Sequence, residues 1–147
     1  MKGDLNNPQD TQRAFHDKEW FRSGDIGVLD DRGYLFIEDR LKDMIITGGE
    51  NVYSREVEEV LFTCPDVQEC SVVGHPDREW GERITAFVTA HPGKDITPED
   101  LKAYLKQRLA SFKVPKQYVI FKELPKNATG KILKREIIRP FSDEKNK

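Results

Sequence analysis

Two β-prone stretches constrain this chain most, VQECSVV at 67–73 and ITAFVTA at 84–90. Valine, isoleucine, threonine and phenylalanine in rough alternation suit half-buried strands, and two such strands define a sheet that other elements must cover. Between them, GHPDREWGE at 74–82 carries the glycine, proline and aspartate of a loop. One covering helix announces itself at Thr97-Pro98-Glu99-Asp100: a capping threonine, proline at the first helical position and acids in the first turn. Leu101, Tyr104, Leu105 and Leu109 fall on its buried face. A second helix is predicted over 55–62, with Ser54 as its cap and Val57, Val60 and Leu61 on one side.

Shorter elements complete the chain. Met44-Ile45-Ile46 makes a brief strand running into Thr47-Gly48-Gly49-Glu50-Asn51, and 118–121 makes a last one. One helical turn is expected at 136–139, then a frayed polar tail at 142–147. The resulting fold class is α+β, a small mixed or antiparallel sheet with two or three helices. Ahead of it lies a β-hairpin near 26–37: Ile26, Val28 and Leu29, a turn at Asp30-Asp31-Arg32-Gly33, then Tyr34-Leu35-Phe36-Ile37. A lone hairpin is marginal in water, so this one is expected to lie on a partner or neighbouring domain. Residues 1–22 offer little periodicity beyond a short helix around 11–15. A charged link at 38–43 joins the halves, and the break in pattern at 40–43 is a natural hinge.

Composition removes several function classes. With 24 basic against 26 acidic residues, no global field favours nucleic acid. No apolar run approaches the roughly 18 residues of a membrane span. MKGDLNNPQDT at the start is too polar and acidic for a secretory signal. Cys64 and Cys70 fit no common zinc spacing, and His16, His75 and His91 are scattered, so no metal site is expected. Reduced thiols and a cytoplasmic setting follow.

The stretch with the most chemical content is LPKNATGKILKRE at 124–136. Pro125 and Gly130 bracket a turn that aims Lys131 outward. A flexible cation on a tight loop suits chemistry that neutralises negative charge at one moment and releases it later. A solvated basic loop has the same local sequence. It is not a Walker phosphate loop, because Pro125 stands where that motif needs glycine and Ile132 where it needs serine or threonine.

Three motifs in order, WFRSGDIG at 20–27, DRLKDMIITGGENV at 39–52 and PKNATGK at 125–131, make the chain resemble the AMP-forming acyl-CoA synthetase family. These adenylate-forming enzymes include luciferases and peptide-synthetase adenylation domains. The resemblance spans roughly residues 1–139. It implies that 1–41 is the C-terminal edge of a large adenylating domain, 42–140 a mobile lid domain and 141–147 a polar tail. Family members hold ATP phosphates on a Ser/Thr/Gly-rich loop of the large domain, and no such loop stands in this sequence.

The family's functional positions carry over residue by residue. Asp25 matches the carboxylate that takes both ribose hydroxyls, where two acceptors suit a diol. Arg40 matches the arginine of the ribose and phosphate region, whose planar fork fits anions. Lys42 falls at the hinge. Gly48 and Gly49 match the loop that enters the site during thioester formation and lines the pantetheine passage, where bare backbone approaches a ligand closely. Trp80, Phe112 and Lys116 match positions that meet the CoA nucleotide in some ligases, an aromatic face and a cation suiting adenine and phosphate. For Trp80 and Phe112, plain core packing is an equal alternative. Lys131 aligns with the catalytic lysine that bridges the acyl carboxylate and the phosphate. Two positions depart from the pattern: Ser54 stands where proline is frequent, and Val114 where some ligases carry arginine.

What the resemblance implies is the lid domain of an ATP-dependent acid–CoA ligase, inactive without its large domain. ATP (with Mg in the complete enzyme), CoA and a small carboxylic acid such as a fatty acid would be its reactants. Two alternatives stand beside it. One is the lid of a peptide-synthetase-type domain that loads a carrier protein. The other is a standalone, non-catalytic module that binds nucleotide or a partner.

Overall fold

The molecule divides into two compact units, Met1–Lys42 and Asp43–Lys147. The computed structural model describes residues 6–17 and 19–142. Residues 1–5, Lys18 and 143–147 of the tail expected over 141–147 lie outside the described residues, while the first two residues of that tail belong to a helix, Lys134–Ser142.

In the first unit the Asn7 side chain accepts the Asp10 N–H and caps α1 (Pro8–Arg13), with proline in the first turn. This helix starts earlier than the expected 11–15, because Asn7-Pro8 is the stronger start signal. Phe15 belongs instead to β1 (Phe15–His16), which pairs with β2 (Trp20–Phe21). The Phe15 and Phe21 rings meet edge to face at 5.6 Å.

The hairpin follows as β3 (Asp25–Leu29) and β4 (Leu35–Arg40). Asp30 organises its turn: Oδ1 accepts the N–H groups of Arg32 and Tyr34 at 2.9 and 2.8 Å, and Gly33 takes φ +83°. The expected charged link is shorter than 38–43. Glu38 to Arg40 continue β4, with a register shift beside Gly27, and Arg40 comes opposite Asp25. Only Leu41–Asp43 form the link, as a single 3₁₀ turn. Val28, Leu29, Tyr34, Leu35, Phe36 and Ile37 are all exposed.

The second unit contains β5 (Ile45–Thr47), β6 (Glu50–Val52), α2 (Ser54–Phe62), β7 (Val67–Asp77), β8 (Gly81–Ala90), α3 (Pro98–Lys106), β9 (Gln117–Phe121) and α4 (Lys134–Ser142). Strand order is β6-β5-β8-β7, and β9 runs parallel to β8. The expected loop at 74–82 shrinks to three residues. Gly74 to Asp77 stay paired with Gly81 to Ile84, and Asp77 Oδ1 accepts the Glu79 and Trp80 N–H groups to close the turn. Its turn-prone residues are tolerated because β7 is an edge strand, where proline forfeits little.

Alternation along β8 sends side chains into two cores. Ile84, Ala86 and Val88 join Val72, Val57 and Leu61 of α2, and Leu101 and Leu105 of α3. Phe87 points the other way, into a cluster with Val73, Leu124 and Ile137. The Phe121 ring lies 5.8 Å from that of Phe87. Thr97 caps α3 as its sequence predicts, accepting the Asp100 N–H. Ser54 does not cap α2. Tyr53 holds the cap position without a side-chain bond, while Ser54 is the first helical residue, and its buried hydroxyl accepts from Lys134. The final helix α4 outruns the single turn expected at 136–139.

Burial grades these positions. Phe87→Ala removes a fully buried ring from the second core and is expected to cost about 3–5 kcal/mol. Thr97→Ala should cost only about 1 kcal/mol. Urea unfolding followed by far-UV circular dichroism measures both.

Candidate functional site

The hairpin register brings Asp25 and Arg40 together. Arg40 Nε donates to Asp25 Oδ1 at 2.8 Å. Ser23 Oγ accepts the Asp25 N–H, and Gly24, at φ +76°, gives its carbonyl to the Leu41 N–H. The aspartate is therefore oriented from both ends, and one carboxylate oxygen is committed to the guanidinium. Lys42 is exposed in the middle of the 3₁₀ turn, and the boundary between the two units falls just after it.

Three more of the candidate residues converge in the second unit. Gly48 and Gly49 turn the chain from β5 to β6 at φ +59° and +84°, conformations that favour glycine. The Gly48 N–H donates to the Trp80 carbonyl at 2.8 Å. A Cβ on Gly48 would sit 3.2 Å from the Trp80 ring, so the missing side chain lets indole and backbone touch. The Lys116 ammonium lies 4.4 Å from the centroid of that ring, in a cation–π arrangement. Gly48, Trp80 and Lys116 thus form one assembly.

Phe112 does not join it among the described contacts. It sits in a 3₁₀ turn, Ser111–Lys113, beneath the ammonium of Lys113, which is itself bonded to both carboxylate oxygens of Glu56. Neither Trp80 nor Phe112 is a core residue; they are 37% and 38% exposed. Val114 is buried in the first core, so an arginine would not fit there as the chain now runs.

Lys131 occupies a loop with a fixed main chain. The Leu133 N–H reaches Pro125 O, Asn127 N–H reaches Lys131 O, and Gly130 N–H reaches Asn127 O, at 2.8 to 2.9 Å. Asn127 Oδ1 accepts three further bonds, from Thr129 N–H, Thr129 Oγ and Lys131 N–H at 3.0, 2.7 and 2.8 Å. Both backbone groups of Lys131 are therefore held by one asparagine. Its side chain is exposed, and its ammonium makes no ion pair among the described residues. Asn127 escaped the sequence reading, although asparagine three residues before glycine is a turn signal in its own right.

Glu82 was also missed. Its Oε2 accepts the Ile46 N–H at 2.6 Å and ties β5 to β8. Gly74 makes room for that carboxylate, since a Cβ there would lie 3.0 Å from Glu82 Cδ. Burial, helped by Glu58, pushes the Cys70 thiol far above its ordinary range, so it is no nucleophile near neutrality. Burial and the neighbouring Arg83 lower the pKa of His75. Among the described residues no group of three or more His, Cys, Asp or Glu side chains is placed to hold a metal ion.

Residues 56–131 match the model of the AMP-binding enzyme C-terminal domain. The chain belongs to this family. It is 47% identical over 142 residues to the long-chain-fatty-acid–CoA ligase FadD13 of Mycobacterium tuberculosis, a match covering 97% of this chain and 28% of that protein. It is 50% identical over 118 residues to the fatty acid–[acyl-carrier-protein] ligase ScoC of Streptomyces coeruleorubidus, covering 80% of this chain and 23% of that one. Among solved structures, ATP-bound MatB from Rhodopseudomonas palustris superposes with a TM-score of 0.88 at 37% identity, over 97% of this chain and 28% of that one. The chain thus spans about a quarter of the length of these relatives.

Asn127 gives the loop its testable property. Asn127→Ala removes three bonds from one acceptor, and amide exchange at Thr129 and Lys131 should quicken about tenfold while the strand amides of β8 keep their rates. Hydrogen exchange followed by NMR measures it.

Proposed function

We propose that the chain is the lid domain, with a strip of the adjoining large domain, of an ATP-dependent, AMP-forming acid–CoA ligase. The observation that carries this reading is Lys131: a main chain fixed on both sides by Asn127 and an ammonium left unpaired among the described residues. Family membership and the naming of FadD13 as a fatty-acid–CoA ligase support the reaction class.

In the first half-reaction the substrate carboxylate attacks the α-phosphorus of ATP and pyrophosphate leaves. Two anions must approach, and the Lys131 ammonium lowers that repulsion by bridging them. Asp25 and Arg40 hold the ribose side of the nucleotide; Arg40 keeps Asp25 turned so that an acceptor oxygen faces the diol. Magnesium bound with the ATP phosphates would neutralise part of their charge. In the second half-reaction the CoA thiol attacks the acyl carbonyl and AMP leaves. Rotation about Lys42 then presents the Gly48-Gly49 turn to the pantetheine arm, and Trp80, Lys116 and Phe112 to the CoA nucleotide. The division of the molecule after Lys42 supports that hinge.

The partner is the large adenylating domain that carries the phosphate loop and acyl pocket, in the same or a separate chain, and the setting is cytoplasmic. The exposed apolar hairpin, Val28 to Ile37, fits a surface which that domain covers. ScoC supports a second reading, in which a carrier protein replaces free CoA as acceptor. Competition between CoA and a carrier protein for one acyl-adenylate complex separates the two.

In the complete enzyme, Lys131→Ala is expected to slow ATP–pyrophosphate exchange about 100-fold or more. Thioester formation from supplied acyl-adenylate should stay within about twofold, because the lysine acts only before the adenylate exists. Equal losses in both half-reactions would overturn the assignment. Exchange by the purified chain alone should not rise above background.

A further inference from the structure

Lys131 stands between two other lysines, and neither of those is free. Lys126, five residues before it, pairs with Glu69 of β7 at 2.5 Å. Lys134, three residues after it and the first residue of α4, has an ammonium with three hydrogens and three acceptors. Glu58 Oε1 of α2 lies at 3.0 Å, Ser54 Oγ at 3.1 Å and the Val72 carbonyl at 3.1 Å. Glu58 Oε1 also accepts the Val72 N–H at 2.7 Å. Val72 belongs to an edge strand, so the carboxylate and ammonium together bond the outward N–H and C=O that a further strand would have taken.

Stability alone explains this arrangement poorly. A cation on the first turn of a helix opposes the helix dipole, and a partly buried ion pair is seldom better than an apolar contact of the same size. What the pair does supply is a direction. It fixes the start of α4 to α2 and β7 three residues from Lys131, while Lys126–Glu69 fixes the other foot of the loop. Both flanking positive charges are thereby neutralised, and the loop offers one cation outward.

We propose that Glu58 and Lys134 form a positioning clamp for Lys131, setting where its ammonium sits during adenylate formation. The clamp rests on the assignment of Lys131 given above. Neither residue touches substrate; both act through the loop.

The test uses the complete enzyme and both half-reactions. Lys134→Met is expected to lower kcat for ATP–pyrophosphate exchange about 10- to 100-fold, with KM for ATP and acid little changed. Thioester formation from supplied adenylate should keep its rate. Lys134→Arg, which retains the charge, should recover part of the loss. Glu58→Gln serves as a second variant, because its amide oxygen still accepts from Val72 and so spares the fold. It should show a smaller loss in the same half-reaction. In a Lys131→Ala background, Lys134→Met should add less than about twofold, since a clamp has nothing left to position. Unchanged exchange in both Lys134→Met and Glu58→Gln would overturn the clamp, as would equal losses in both half-reactions or full additivity with Lys131→Ala. If Lys131→Ala itself leaves exchange intact, the assignment of Lys131 fails first, and the clamp falls with it.

Discussion

Strand β8 is the element on which the second unit depends. It hydrogen-bonds β7 along one edge, and β5 and β9 share the other. Its residues Ile84 to Val88 are all buried, because helices cover one face and the loop at 124–133 with α4 covers the other. A strand satisfied at both edges and on both faces cannot slip register without moving every side chain to the wrong side. That rigidity reaches the candidate site directly. Gly81 opens β8 beside Trp80, the Ile84 carbonyl accepts the Lys116 N–H, and Phe87 seats the cluster from which the Lys131 loop departs.

Charge is managed around that frame in a consistent way. Lys113 is paired with Glu56, Lys126 with Glu69 and Lys134 with Glu58, so the basic residues packed against the sheet are matched by carboxylates of α2 and β7. Partly buried pairs of this kind are seldom better for stability than apolar contacts of the same size. Their effect is on geometry and on which cations stay available. Lys131 and Lys116 are left toward solvent, one unpaired among the described residues and the other over an indole face, where a cation keeps its charge free for an anion.

The sequence was informative where a signal is local. The Thr97-Pro98 helix start, the turn at Asp30 to Gly33 and the strands at 67–73 and 84–90 all depend on residues within a few positions of one another. It failed where pairing overrides composition. Gly74-His75-Pro76-Asp77 has the content of a loop, but strand partners extend through it. Ser54 has the chemistry of a cap, yet the hydroxyl is claimed by Lys134, eighty residues on. Two-residue strands such as β1 and β2 carry no period to detect. At the site, individual residue types were legible from the motifs, and the local turn signal of Asn127 was there to be read, whereas Glu58 and Glu82 bond residues 14 and 36 positions away, contacts that a linear pattern does not contain.

The two units differ in how far each satisfies itself. The second has a covered sheet and two apolar clusters. The first offers two short two-stranded sheets, and its hairpin leaves aromatic and aliphatic side chains exposed at adjacent positions on both faces. Two strands with neither face buried are marginal in water, so the first unit is built to be completed by something else. The second unit, by contrast, buries both faces of its central strand among its own helices and loop. Its two apolar clusters, the loop held by Asn127 and the Gly48–Trp80 contact keep Gly48, Trp80, Lys116 and the Lys131 main chain in fixed register within that one unit.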